Sequence, residues 1–400
     1  MLKKGAWLLS LSLLLLAGCV NSTNEDPSVD EEKNDSELNS AEQITVKDIQ
    51  ANLFIDDAGE MVDSFEIQIE DILSVQDLKE GDFEITGNYD GYPVNQAEEM
   101  VQEDFEDDGI ELSIEGDSLI LDVKDFKYPG GVESEYKITN EKYPALSFSK
   151  EDVTSINTKT VDQFEKATFT GGNDVTIPYR ISVANSEKSE PLVIWMHGAG
   201  EVGTDNESHI RANRGAVSFA ESDYVTSVIA AQYPYAYSEE LTDEELQDML
   251  DFFKAYRELI DSLVEDGTVD PDHIYLTGAS MGGGLTLRFM LEEPELFAGV
   301  VTISSRGTVK DLEELNKVDH LPIWLFHAED DPTNPSTVSK DIYNKLKDLG
   351  NDEAKLTIYD TEYMHSLNLY GGLLHWGWVP ALNDSEMMDW LFAQKKIMNH

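Results

Sequence analysis

The stretch His273–Met290, HIYLTGASMGGGLTLRFM, carries the reading on which the rest of the chain turns. A short apolar run, Ile274–Leu276, leads into Gly278, Ser280 and Gly282–Gly284, and a helix-like run, Leu285–Met290, follows. Ordering a glycine costs roughly 0.5–1 kcal/mol more than ordering an alanine, so four of them in one loop need a reason. Two kinds of loop supply one: a phosphate cradle, or a turn that holds up a nucleophile. The glycines do not satisfy G-x-G-x-x-G, and no Gly-Lys-Ser/Thr follows. They do read G-x-S-x-G, as Gly278-Ala279-Ser280-Met281-Gly282. A chain of this length shows that spacing by chance roughly one time in ten. What carries the reading is its place between a buried strand and the start of a helix, where a nucleophile elbow forms.

Working outward, the chain after about Phe169 alternates apolar runs with helical stretches. PLVIWMHG, TSVIAAQYP, HIYLTG, AGVVTISS, LPIWLFHA and AKLTIYD read as parallel strands covered on both faces. The clearest helix starts at Thr242, with Glu245 three residues on as a capping box. Others are expected at GGGLTLRFMLEE, PSTVSKDIYNKLKDLG and DSEMMDWLFAQKK. The pattern predicts an α/β fold, an open and mostly parallel doubly wound sheet with its chemistry at the C-terminal ends of the strands.

A serine hydroxyl needs a base to take its proton, and in such a sheet the order along the chain is Ser, acid, His. The acid is expected after LPIWLF, where Asp330 and Asp331 are adjacent. The base is expected between the last strand and the terminal helix, where His365 and His375 both qualify. Periodicity does not choose within either pair. Charge developing on a carbonyl oxygen also needs N–H donors already aimed at it. Met281, after the nucleophile, supplies one, and the loop HGAG supplies another at Ala199 or Gly200.

This half resembles the α/β-hydrolase superfamily, and within it the esterases related to polyhydroxybutyrate depolymerases and feruloyl esterases, sometimes labelled prolyl-oligopeptidase-like. The resembling segments are MHGAGEVGTDN, AAQYPY, TGASMGGG, WLFHAEDDPTNP and HWGWVPALND with the later WLFAQ. The resemblance implies an α/β-hydrolase fold and a Ser-His-Asp triad. The acid motif is similar to H-G-x-x-D-x-x-V-P, which implies Asp331, counted from His327, with Pro335 closing the motif. Ala328 stands where that motif has Gly, and Asn334 where it has Val. The resemblance also implies His375, shortly before Trp378 and the last helix, as the base, leaving His365 a packing or hydrogen-bonded histidine. His197 by the same analogy shapes its loop. His209, His273, His320 and His400 read as surface or structural.

Ile44 to about Lys166 has a different period. SFEIQIEDI, GIELSIEGDSLILDV and EYKITN alternate with period two, and DDAGE, GNYDGYP, EGD and YPGG read as turns. Short strands at this spacing suggest an antiparallel β-sandwich, and one branch of the resembling family carries an N-terminal immunoglobulin-like domain. Nothing in this half looks catalytic. Asp104–Glu115 comes near the calcium-loop pattern, but has Glu106 at its third position and a strand-like continuation where a helix is needed. It reads as a turn with solvated carboxylates.

The chain opens MLKKGAWLLSLSLLLLAGC. Lys3 and Lys4 precede the apolar run Trp7–Ala17, which is shorter than the roughly 20 residues needed to span a bilayer and has the form of a secretory signal. LAGC resembles the lipobox of bacterial lipoproteins, which implies that Cys19, the only cysteine, is lipidated and holds the chain to the outer face of a cell membrane. The expected organisation is a signal at 1–18, an acidic tether at 19–41, an immunoglobulin-like sandwich at 42–166 and the α/β-hydrolase half at 167–400. The formal net charge of −52 repels nucleic acid and anionic lipid, leaving the lipid as the one membrane contact. The acidic excess is read as an adaptation to salty or alkaline surroundings. The reaction expected is hydrolysis of a small-molecule or polymer-linked carboxylic ester, with no metal or organic cofactor. A serine peptidase acting on short peptides is the alternative, and a binding protein that has lost catalysis is a third. Oligomeric state stays open.

Overall fold

Glu190–Met196 is an interior β-strand of the large sheet in the computed structural model. The structure describes residues 44–57, 59–91, 101–107, 110–123, 134–184, 188–238, 241–367, 369 and 373–396. The expected signal, Cys19 and the acidic tether lie outside the described residues, as do His400 and the YPGG turn.

Among the described residues of the amino-terminal half there are nine strands: β1 (Val46–Asp56), β2 (Gly59–Ile69), β3 (Phe83–Gly91), β4 (Val101–Asp107), β5 (Ile110–Glu115), β6 (Ser118–Val123), β7 (Ser134–Asn140), β8 (Phe148–Ser149) and β9 (Ser155–Thr158). They form two sheets, in the orders β5-β6-β2-β1-β9 and β4-β3-β7-β8. Alternation turns one face of each sheet inward. Phe65 of the first sheet meets Tyr136 and Phe148 of the second, with ring centroids 5.5 and 5.1 Å apart. Ile67, Ile69, Ile85, Leu119, Leu121 and Ile138 fill the same core and are fully buried. The expected turn GNYDGYP is strand through Gly91, because Asn88 to Gly91 find partners on β4 and Asn88 and Tyr89 also on β7; ladder pairing overrides the turn preference of those residues. The last six residues of the calcium-like stretch form β5 rather than a helix.

Among the described residues eight strands form the large sheet: β10 (Glu165–Thr170), β11 (Thr176–Ser182), β12 (Glu190–Met196), β13 (Ser227–Ala231), β14 (Val269–Ala279), β15 (Gly299–Ile303), β16 (Ile323–Ala328) and β17 (Lys355–Tyr359). Their order is β10-β11-β13-β12-β14-β15-β16-β17. From β13 to β17 the pairing is parallel, while the β10–β11 hairpin joins the β13 edge antiparallel. That hairpin had no counterpart among the expected runs. The helices are α1 (Ser208–Arg211), α2 (Gly215–Ala220), α3 (Asp243–Glu265), α4 (Met281–Glu292), α5 (Thr337–Asp348), α6 (Thr361–Ser366), α7 (Trp378–Leu382) and α8 (Ser385–Phe392). Residues of α3, α4 and α5 share one core with one face of the sheet, and those of α1, α2, α7 and α8 share another with the opposite face. Thr242 caps α3 as its sequence foretells: its hydroxyl accepts from the Glu245 amide, and the Glu245 carboxylate accepts from the Thr242 amide.

Two features of this arrangement position a site. The chain leaves β12 for β13 on one side and returns to β14 on the other, so the strand order reverses between β12 and β14. A crevice opens outside the carboxyl ends of strands at such a reversal. The second feature is that residues 44–400 form one compact unit. Ile55 of β1 is buried with Val161, Phe164 and Trp195, in the core beneath the large sheet rather than in the sandwich core.

Candidate active site

Ser280 ends β14 and begins α4 with φ 56° and ψ −120°, a conformation sterically costly for any residue with a Cβ. The flanking glycines make room for it. A Cβ on Gly278 would lie 2.6 Å from the Gly282 carbonyl oxygen; one on Gly282 would lie 2.0 Å from the Met196 oxygen and 2.5 Å from that of His197. The G-x-S-x-G spacing thus records a three-way contact among β14, the first turn of α4 and the end of β12. The Ser280 amide donates to Ile303 (2.9 Å), and its carbonyl accepts from the amides of Gly284 (3.2 Å) and Arg306 (3.0 Å).

His375 bridges the serine and a carboxylate. Its Nε2 is 2.8 Å from Ser280 Oγ and its Nδ1 is 2.7 Å from Asp331 Oδ2. The edge of Trp378 meets the imidazole at 88°, with centroids 5.2 Å apart. Asp331 Oδ1 accepts from the amides of Thr333 (2.8 Å) and Asn334 (3.1 Å), and His327 Nε2 lies 3.4 Å from Oδ2. Burial alone would raise the Asp331 pKa. The hydrogen bonds from His327, His375 and the Asn334 amide outweigh it and hold the group at about 2, so it stays ionised. Asp330 points elsewhere: it is exposed and accepts from the Thr361 hydroxyl (2.6 Å). His365 is exposed on α6, not packed as expected.

Behind the serine, the loop after β12 is held by His197. An amide N–H can only donate, so the 2.8 Å contact of Tyr233 N with His197 Nε2 leaves the proton on Nδ1, which donates to Gly198 O at 2.8 Å. The ring shapes the loop and has no free nitrogen for proton transfer. Gly198, Ala199 and Gly200 line the same cleft as Ser280. Met281, as the first residue of α4, has an amide with no acceptor inside the helix. His209, nearly fully buried, bonds Ala230 O through Nε2 (3.1 Å); burial, with His197 adjacent, pushes its pKa down to about 3. His273 and His320 have carboxylate neighbours away from the cleft.

The cleft has a volume of about 680 Å³. Four of its lining residues escape sequence reasoning. Asp57 and Glu60 come from the β1–β2 hairpin of the sandwich. Glu60 is paired with Arg211, which also binds Glu207 at 2.8 Å and Thr158 Oγ1 at 3.0 Å. Burial, with Asp56 beside it, pushes Asp57 up to about 6. Arg306 and Trp376 complete the group. A further residue, Asn334, lies outside the cleft lining: buried, it donates from Nδ2 to Ser304 O at 2.8 Å and accepts from His327 Nε2 at 3.0 Å. Its signal in the sequence was the departure from Val in the acid motif. Asp57 and Glu60 left none. Among the described residues no cluster of His, Cys, Asp and Glu is arranged to hold a metal ion.

Residues 179–369 match the phospholipase/carboxylesterase family. The crystal structure of a thermostable esterase superposes with a TM-score of 0.66 at 25% identity, covering 88% of this chain and 100% of that one. NocK, a candidate esterase of Nocardia uniformis subsp. tsuyamanensis, is 27% identical over 188 residues, 46% of this chain and 53% of that protein. The chain therefore spans about half the length of that curated relative. A Pyrococcus horikoshii acylaminoacyl peptidase is similar at 17% identity over 60% of this chain and 43% of its own, with a TM-score of 0.39, too low to bear on the argument. The carboxyl-terminal half has the α/β-hydrolase fold. The family match and the esterase likenesses support a hydrolase enzyme of the carboxylesterase kind.

Proposed function

We propose that the chain is a serine carboxylesterase in which Ser280 is the nucleophile, His375 the general base and acid, and Asp331 the group that orients the imidazole. One observation supports this above the rest: the unbroken hydrogen-bonded run from Ser280 Oγ through His375 to Asp331 Oδ2, at 2.8 and 2.7 Å, opening into a cleft. Ser280 attacks the ester carbonyl as its proton passes to His375 Nε2. The oxyanion is met by the Met281 amide and by that of Ala199 or Gly200. His375 then protonates the leaving alcohol, and water repeats the sequence on the acyl-enzyme to release the acid.

Ser280→Ala is expected to abolish hydrolysis of p-nitrophenyl acetate while the circular dichroism spectrum is kept; retained turnover rejects the assignment. A panel of esters and peptidyl amides separates this reading from a peptidase, and faster amide cleavage would replace it. The amino-terminal sandwich is, on this proposal, an immunoglobulin-like domain whose β1–β2 hairpin walls the cleft. The mature chain would be tethered through lipidated Cys19 on the outer face of the cell membrane; Cys19→Ser should then move it from the membrane fraction to the medium.

A further inference from the structure

We propose that Arg306 makes the cleft selective for esters bearing a carboxylate a few atoms from the scissile carbonyl, the half-esters of short dicarboxylic acids. The inference rests on the esterase reading and names its substrate class.

The chain holds 80 Asp and Glu against 28 Lys and Arg, so a basic side chain has no difficulty finding an acidic partner. Five of its six arginines have one: Arg180 with Glu207, Arg211 with Glu60 and Glu207, Arg214 with Glu221, Arg257 with Asp261 and Glu293, and Arg288 with Glu292 and Glu314. Arg306 is the sixth. Among the described residues no carboxylate lies within ion-pair distance of it. Its Nη1 donates to the Tyr237 carbonyl (2.6 Å), its guanidinium carbon stands 5.6 Å from the Tyr237 ring centre, and its Nε is buried without an acceptor.

This guanidinium lines the same cleft as Ser280 and His375, and its own backbone amide bonds the Ser280 carbonyl at 3.0 Å. The backbone is thereby tied to the elbow, and the side chain is held by the Tyr237 carbonyl. A half-buried cation without a counter-ion loses hydration that one carbonyl and one ring return only in part. A ligand carboxylate would return it through charge-assisted hydrogen bonds.

The acidic residues around the cleft do not compete for this role. Glu60 and Glu207 are engaged by Arg211, Asp205 accepts from the amides of Glu207 and Ser208, Glu201 accepts from Asn213 through Oε1, and Asp57, on the sandwich hairpin, is not within ion-pair distance of Arg306. The long-range field of the acidic chain still opposes an anion, but it is screened beyond about 8 Å at physiological ionic strength. A direct contact within the cleft survives that screening.

The test compares ethyl hydrogen succinate with ethyl butyrate, which match closely in length, by ethanol release at about 0.15 M salt. The wild-type enzyme is expected to prefer the succinate half-ester in kcat/KM. Arg306→Gln is expected to reduce the ratio of the two kcat/KM values about 10-fold or more, through KM for the half-ester, since one charge-assisted contact is lost. Arg306→Lys should recover part of the ratio, keeping the charge but not the planar fork. Should Arg306→Gln not fold, product inhibition of the wild type decides: succinate must compete at lower concentration than butyrate. The inference is overturned if ethyl butyrate is hydrolysed as well as the half-ester or better, or if the ratio is the same in Arg306→Gln. Failure of the esterase reading looks different, with neither ester hydrolysed.

Discussion

Replacing Asp331 by Asn tests the proposed site at the group whose surroundings are best defined. The two loop amides of Thr333 and Asn334 both donate to Oδ1, at 2.8 and 3.1 Å. An asparagine must therefore place its carbonyl oxygen there, which puts its NH₂ at the Oδ2 position, facing His375 Nδ1 and His327 Nε2. Two donors cannot share that contact. His375 is forced to carry its proton on Nε2, where it donates to Ser280 Oγ instead of accepting from it. A wrong tautomer of this kind lowers kcat about 10⁴-fold in serine hydrolases, equivalent to roughly 5.5 kcal/mol of barrier. Steady-state hydrolysis of p-nitrophenyl acetate at pH 7 measures it, with Asp330→Asn as the control, because that carboxylate is exposed and bonds only the Thr361 hydroxyl in this region. The same substitution has a signature in stability. The Asp331 pKa is depressed from 3.8 to about 2, so its ionised form stabilises the fold above about pH 4, and this contribution is lost as the pH falls toward 2. At 1.36 kcal/mol per pKa unit it amounts to about 2 kcal/mol. Urea unfolding should show Asp331→Asn less stable than wild type by about that amount at pH 7, with the gap closing near pH 2. An Asp331→Asn enzyme with more than about a tenth of wild-type kcat would refute the reasoning.

Two further predictions concern the scaffold of the same site. Gly282→Ala would drive a Cβ to 2.0 Å from the Met196 carbonyl, and the expected loss exceeds about 3 kcal/mol in urea unfolding; Gly200→Ala, with no heavy atom within 4 Å of its Cβ, should stay within about 0.5 kcal/mol. Asn334→Val removes the donor from the buried Ser304 carbonyl and should cost about 1–3 kcal/mol of stability, with kcat falling more than KM rises because the acid loop loses its tie to the end of β15. Unchanged stability would mean the Ser304 oxygen finds another donor.

Much of the carboxyl-terminal half could be read from residues close together in the chain. The apolar runs of β12 to β16 became parallel strands because both faces are covered, their few polar residues such as Thr277 and Thr302 being buried too. The cap at Thr242 and Glu245 needs only three residues of separation. The order Ser280, aspartate, histidine was legible too, but not which aspartate or which histidine. Asp330 and Asp331 are neighbours with opposite surroundings, one exposed and one enclosed by four donors, of which His327, Thr333 and Asn334 are local and His375 arrives from 44 residues away. The GNYDGYP segment misled because its turn-forming residues gain ladder partners on β4 and β7 that lie far along the sequence.

The strands from β12 onward, the capped helix α3, the elbow at Ser280 and the residue types at the strand ends are legible in the sequence, since each rests on periodicity or on the steric needs of a few consecutive residues. Only the tertiary structure decided that His375 meets Asp331, that a sandwich hairpin brings Asp57 and Glu60 to the cleft, and that Arg306 faces it without a carboxylate among the described residues. Those facts are distances between segments far apart along the chain, and no local pattern of charge or hydrophobicity encodes a distance of that kind.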